Sequence, residues 1–89
     1  MLEIFDKKGL KASYRVKEEM ETTFHSNGNT KEIIETSNGR RSGLYLRFNQ
    51  DEELIEETYY YSNLKNGTQT IFYPDSGKPA ITREYTLGS

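Results

Sequence analysis

Residues 19–24 have the sequence Glu-Met-Glu-Thr-Thr-Phe, and this stretch is the first of three copies of one pattern. Its phenylalanine recurs at a constant interval along the chain, as Phe24, Phe48 and Phe72. Gly43 and Gly67 lie five residues before the second and third phenylalanines, and Glu19 takes that position in the first copy. A fixed period of this length is typical of repeat architectures. We therefore predict one repeat domain over residues 1–89, with copies at about 1–18, 19–42, 43–66 and 67–88.

The composition limits the core and the classes of partner. With 89 residues, of which 33% are hydrophobic, the chain can bury only a thin core, and much of its apolar area is in seven Tyr and four Phe. A net charge of −2 gives no electrostatic reason to expect a nucleic-acid partner. The absence of cysteine excludes disulfides and thiolate metal sites. No apolar run suits a membrane span and no signal-peptide pattern begins the chain, so we expect a cytoplasmic protein.

Short runs rich in Tyr, Phe, Thr and Ile alternate with turn dipeptides, which is typical of β-hairpins. The dipeptides are Lys8-Gly9, Asn27-Gly28, Asn38-Gly39, Asn66-Gly67 and Ser76-Gly77. The copy at Phe48 differs, because the polar residues 49–52 follow it without a glycine. We predict an all-β fold, a mostly single-layer antiparallel meander of about eight strands in which each hairpin repeat spans one interval between the phenylalanines. The predicted strands lie at about 2–5, 10–16, 20–25, 30–36, 44–49, 54–61, 68–73 and 80–86.

Alternation along the strands assigns side chains to two faces. The predicted repeat core consists of six apolar residues: Phe5, Phe24, Leu44, Leu46, Phe48 and Phe72. The opposite face is too polar to be sealed from water, but five residues give it a half-apolar character. They form the predicted interaction surface, which comprises Tyr45, Tyr59, Tyr61, Ile71 and Tyr73. Tyr60 is assigned to the core face, because it alternates with its two neighbours.

The motifs resemble the bacterial variant MORN repeat. Residues 24–28 (Phe-His-Ser-Asn-Gly) and 38–48 (Asn-Gly-Arg-Arg-Ser-Gly-Leu-Tyr-Leu-Arg-Phe) are similar to its pattern of aromatic strand, Asn-Gly turn, basic pair and new aromatic strand. Residues 64–85 are similar to the same pattern, so the resemblance covers about residues 19–88. The resemblance implies hairpins in a meander that acts as a non-enzymatic scaffold or protein-interaction module. Some bacterial members are labelled antitoxin components, and eukaryotic relatives are linked to membrane phospholipids.

Candidate catalytic, cofactor and metal-binding residues do not emerge from the sequence. His25 is the single histidine, so neither a histidine-rich metal site nor a Ser-His-acid arrangement has support. The carboxylates at Glu52, Glu53, Glu56 and Glu57 favour a solvated edge over paired acid–base catalysis. Arg40-Arg41 is interpreted as a solubilising pair beside a turn. We therefore expect no enzyme, no cofactor and no metal.

Several alternatives stay open at this point. An antitoxin-type protein that masks a toxin is a narrower binding function, while a lipid-surface binder and a small hydrolase have less support from the residues. Residues 2–5, as the first strand of the meander, would form an apolar edge of the sheet, and this edge and the tyrosine-rich face favour coverage by another molecule. We expect that molecule to be a second copy, forming a homodimer, or a different protein.

Overall fold

The structure is a computed structural model that describes residues 2–6, 9–14, 19–74 and 76–88. It confirms the all-β antiparallel meander. Within these residues there are nine strands: β1 (Leu2–Asp6), β2 (Gly9–Tyr14), β3 (Glu19–Phe24), β4 (Thr30–Ser37), β5 (Arg40–Phe48), β6 (Leu54–Tyr61), β7 (Leu64–Lys65), β8 (Gly67–Phe72) and β9 (Pro79–Tyr85). Within these ranges there is no helix, and hence none that could cross a membrane.

The strands form two sheets. The larger sheet has the order β3-β4-β5-β6-β8-β9, with β7 also paired to β6, and every pairing is antiparallel. The smaller sheet is the hairpin β1–β2. The N-terminal strand is therefore not an edge of the main sheet, contrary to the sequence-based expectation.

Two-residue turns connect strands at one end of the main sheet, which we call the turn end. Asn38 and Gly39 have φ values of 52° and 77°, and at the equivalent positions of the next repeat Ser62 and Asn63 have φ values of 48° and 71°. Positive φ at both residues is the signature of a type I′ turn. The prediction of a turn at Asn66-Gly67 is thus wrong, because the chain reverses earlier, at Ser62-Asn63.

The repeat glycines serve a different purpose from the turns. Gly43 and Gly67 have φ values of 102° and 106°, a backbone conformation that residues other than glycine rarely adopt. At Gly43, β5 carries extra residues opposite β4 between the pairs Ile34–Tyr45 and Thr36–Arg41. Each repeat glycine therefore forms a bulge at the junction between consecutive hairpins.

The opposite end of the sheet, which we call the loop end, carries the five-residue connections 25–29 and 49–53. The backbone N–H of His25 donates to the carbonyl of Asn29 at 2.8 Å, and that of Asn49 donates to the carbonyl of Glu53 at 3.0 Å. Glu52 has a φ of 63° and takes the position that Gly28, with a φ of 89°, holds in the earlier loop. The Phe48 copy therefore keeps the same loop without a glycine.

The apolar core lies between the main sheet and the β1–β2 hairpin, on what we call the hairpin face. Its buried members are Ile4, Leu44, Leu46, Phe48 and Leu54, with Leu2, Tyr14, Ile33 and Phe72 packed against them. Tyr14 also donates its hydroxyl to Glu57 Oε2 at 2.5 Å, a contact that joins the hairpin to β6. Burial, followed by this hydrogen bond, raises the pKa of Tyr14.

The prediction that Phe5 and Phe24 belong to the core is wrong. Phe5 and Phe24 are 59% and 61% exposed, whereas Leu44, Leu46 and Phe48 are buried and Phe72 is partly buried. Phe24 is on the outermost strand, so it has neighbours on one side only. In β1 the buried residue is Ile4, and the pairing with β2 shifts between Ile4 and Phe5. The repeat period therefore predicts the position of an aromatic residue but not its burial.

Candidate functional site

The face opposite the hairpin, which we call the polar face, is more closed than the sequence suggests. Thr58, Tyr45, Gln69 and Glu56 are only 1%, 6%, 7% and 9% exposed. The expectation that this face could not be sealed is therefore wrong. Its side chains cover one another through hydrogen bonds, and every buried side-chain nitrogen or oxygen of the described residues has a partner.

Glu56 lies at the centre of the first polar cluster. Its Oε1 accepts from Arg47 Nε at 3.0 Å, and its Oε2 accepts from Thr58 Oγ1 at 2.8 Å and from Gln69 Nε2 at 3.2 Å. Burial acts to raise the pKa of Glu56, but the three hydrogen bonds and the Arg47 charge outweigh it, so the pKa lies below its ordinary value. The carboxylate is therefore held ionised and its oxygens are occupied.

Glu32 organises the second polar cluster, near the β3 edge. It accepts from the Tyr45 hydroxyl at 2.5 Å and from Thr23 Oγ1 at 2.9 Å. The Tyr45 hydrogen bond is the main reason that the pKa of Glu32 is lowered. Burial, followed by the bond to Glu32, raises the pKa of Tyr45. The pair is thus a neutral phenol that donates to an ionised carboxylate.

Cations stack on tyrosines at equivalent places of two repeats. The Arg41 guanidinium lies 5.2 Å from the ring centroid of Tyr45 and 5.4 Å from that of Tyr60. Lys65, which takes the place of Arg41 in the next repeat, lies 5.0 Å from the ring centroid of Tyr85. Such cation–π contacts stabilise folded structure by about 0.5–2 kcal/mol each. Arg41 therefore has a packing role that its place in a basic pair did not reveal.

The candidate catalytic groups do not converge. Glu56 belongs to the polar face, while Glu57 accepts from Tyr14 on the hairpin face. His25 donates from Nε2 to the carbonyl of Phe48 at 2.9 Å, which fastens the first loop to β5. Among the residues placed by the structure, no group of three or more His, Cys, Asp or Glu could hold a metal ion. These contacts have structural roles.

The five residues of the predicted interaction surface do not share one face. Tyr45 is buried on the polar face, and Ile71 pairs with Glu56 on that same face. Tyr59 pairs with Leu44 on the hairpin face, and Tyr61 follows Tyr59 by two residues on β6. Tyr73 follows β8 and is 58% exposed at the loop end.

A bulge in β6 accounts for this error. Phe48 pairs with Leu54, but Arg47 pairs with Glu56, so Ile55 is the extra residue. The bulge allows Leu54 to lie in the core while Glu56 belongs to the polar face. Tyr60 is therefore on the polar face, with its ring centroid 5.9 Å from that of Tyr45.

Three exposed apolar residues lie on neighbouring segments of the turn end, and we call them the turn-end patch. It consists of Tyr61, Leu64 and Leu87, which are 59%, 47% and 53% exposed. Tyr61 and Leu64 are opposite partners across β6 and β7. The C-terminal segment lies beside them, because Gly88 N donates to the Lys65 carbonyl at 2.7 Å. Sequence reasoning missed Leu64 and Leu87. The available signal was that Leu64, an apolar residue, occupies the position that Arg40 holds in the preceding repeat.

A polar cleft adjoins this patch. Its volume is about 460 Å³, and it is lined by Ser37, Asn38, Arg40, Ser42, Tyr61 and Ser62. Arg40 Nη1 donates to Ser62 Oγ at 3.0 Å across the cleft. Tyr61 and Arg40 thus line one cleft at the turn end, and both residue types are enriched at protein interfaces.

Comparison with known proteins adds no family assignment. No family model, no curated protein and no solved structure matches the chain. The resemblance to the MORN repeat therefore stays a prediction from sequence motifs.

Proposed function

We propose that the protein is a non-catalytic interaction module, built from MORN-like β-hairpin repeats, that binds a protein partner through its turn end. The observation that carries this proposal is the turn-end patch. Its three apolar side chains are each about half exposed on neighbouring segments of the turn end, although this thin-cored chain has little apolar area to spare. Burial of such side chains against a partner supplies the main free energy of most protein associations.

The polar face supports the same proposal, because its buried polar groups hydrogen-bond to one another. Its central carboxylates, Glu56 and Glu32, already have protein donors. A general base needs a free lone pair within reach of substrate, and a lowered pKa weakens a carboxylate as a base. Binding through the turn end accounts for the exposed apolar residues there, whereas catalysis on the polar face would require a free carboxylate.

A pair of tyrosine variants tests the proposal. Tyr61 and Tyr73 are 59% and 58% exposed but lie at opposite ends of the sheet, so Tyr61→Ser and Tyr73→Ser are matched changes. Tagged wild type and both variants are incubated with lysate of the source cells, and bound proteins are quantified. We expect one stoichiometric partner to be lost with Tyr61→Ser and retained with Tyr73→Ser. Equal retention by both variants, or no partner bound to wild type, contradicts the proposal.

A further inference from the structure

The outer strands of the main sheet, β3 and β9, are both unpaired on one side in the described part of the chain. We propose that these two edges pair with each other between molecules, so that β9 of one copy adds to β3 of the next in the register of the internal repeat. This contact is separate from the turn-end patch and does not rest on the function proposed above.

The internal junctions specify the register. Where β4 meets β5, Glu32 pairs with Arg47 and Ile33 with Leu46. Where β6 meets β8, the partners are the equivalent residues of the next repeat: Glu56 with Ile71 and Glu57 with Thr70. The two internal junctions therefore share one register, and this register defines how each hairpin of the sheet pairs with the next.

Residues that pair from strand to strand form rows across the sheet. The residues at the two ends of a row are the ones that the same register would place opposite each other between copies. One continuous row runs through Thr22, Ile33, Leu46, Glu57, Thr70 and Thr82. A second runs through Thr23, Glu32, Arg47, Glu56, Ile71 and Ile81. Continuing both rows into a second copy places Thr82 opposite Thr22 and Ile81 opposite Thr23. The strand directions also allow this pairing. The six strands alternate in direction, so β3 and β9 of one molecule run antiparallel, and β9 of one copy would be antiparallel to β3 of a second copy in the same orientation.

Charge complementarity supports this pairing. The residues that follow in the same register are Arg83 on β9 and Glu21 on β3, so opposite charges face each other across the contact. Both residues are exposed. Opposite charges at directly facing positions of a sheet stabilise it by roughly 0.2–1 kcal/mol, and like charges there destabilise it. No ion pair or side-chain hydrogen bond of Arg83 or Glu21 within the described chain competes with this contact.

Exposed apolar side chains on β3 support it as well. Met20 and Phe24 flank Thr22 on the hairpin face and are 45% and 61% exposed. Leu44 and Phe48 flank Leu46 in the same way but are covered by strands on both sides. A strand added beyond β3 would give Met20 and Phe24 the second neighbour that they lack.

Glu19 limits the length of the contact. It stands in the position of Gly43 and Gly67, whose φ values exceed 100° at the internal junctions. A side chain in that region of φ is strained, so the bulge of the internal junctions does not recur here. The intermolecular pairing is therefore short, near Glu21, Thr22 and Thr23, and weak enough to depend on concentration. Because the two edges differ, the contact is head-to-tail and produces open chains or a ring rather than a two-fold dimer.

Charge reversal tests the pairing. Sedimentation velocity from micromolar to millimolar concentration should show wild-type mass rising with concentration. Glu21→Arg and Arg83→Glu each place like charges opposite one another and should weaken association by about tenfold. The double variant E21R/R83E restores opposite charges at every contact and should associate as wild type does.

The rescue separates the proposal from general loss of stability, and unchanged circular dichroism in both single variants checks their fold. A wild type that stays monomeric throughout, single variants that associate normally, or a double variant without rescue would each overturn it. Since Tyr61→Ser leaves both edges intact, it should not alter this self-association.

Discussion

Substitution of the two repeat glycines by alanine should have unequal effects, because their surroundings differ. Both have a φ above 100°, so each alanine incurs backbone strain of roughly 1–2 kcal/mol. A Cβ on Gly67 would lie 3.6 Å from Tyr59 Cβ, which is ordinary contact. A Cβ on Gly43 would instead overlap the Glu35 carboxylate, with Oε1 and Cδ at 2.2 Å and 2.7 Å.

Glu35 cannot move away without loss. Its side chain is buried, and its Oε1 accepts from the Leu44 backbone N–H at 2.9 Å. Leaving that buried N–H unpaired costs about 1–3 kcal/mol, so Gly43→Ala should destabilise the fold by about 2–5 kcal/mol in total. With an m-value of about 1 kcal/mol/M, its urea midpoint should fall about 1–3 M further than that of Gly67→Ala.

Urea unfolding followed by circular dichroism measures both midpoints. The control is Glu35→Ala, alone and combined with Gly43→Ala. Removing the carboxylate removes the overlap, so the double variant should be more stable than the sum of the two single effects predicts. Equal midpoints for Gly43→Ala and Gly67→Ala, or strict additivity in the cycle, would refute the role assigned to Glu35.

Burial and charge lead to three other predictions. Phe48→Ala should cost about 3–5 kcal/mol and Phe24→Ala less than about 1 kcal/mol in urea unfolding, since Phe48 is 4% and Phe24 61% exposed, and similar losses would contradict this core. The lowered pKa of Glu56 contributes stability that is present at neutral pH and lost as pH falls through that pKa, so thermal midpoints of Glu56→Gln should decline less on acidification. The raised pKa of Tyr45 contributes stability that is present below about pH 10 and lost above it, so Tyr45→Phe should flatten the alkaline decline of the thermal midpoint.

Local turn and strand chemistry allowed the strand positions to be predicted from the sequence. Predicted strands 30–36 and 54–61 closely match β4 and β6. The failure at Asn66-Gly67 has a physical reason, because positive φ suits a bulge as well as a turn. The real turn, at Ser62-Asn63, has weaker sequence signals than an Asn-Gly pair.

The faces could not be predicted as well as the strands. Alternation assigns faces correctly only in a strand without bulges, and the extra residue Ile55 reverses the assignment within β6. The Glu56 cluster draws donors from Arg47 on β5, Thr58 on β6 and Gln69 on β8. Nothing local in the sequence shows that these groups meet. The polar face is thus a tertiary feature, while the turns are local ones.

The separation of the β1–β2 hairpin from the main sheet fits the identity of residue 19. By the repeat, β2 would pair with β3 as β4 pairs with β5, yet the two belong to different sheets. Both junctions that do form have a glycine with φ above 100°, whereas this one has Glu19. A glutamate there would add strain of roughly 1–2 kcal/mol, while placing Ile4 against Leu46 and its neighbours buries apolar area that would otherwise face water. Departure from the repeat at this residue is therefore consistent with a hairpin that covers the sheet rather than extends it.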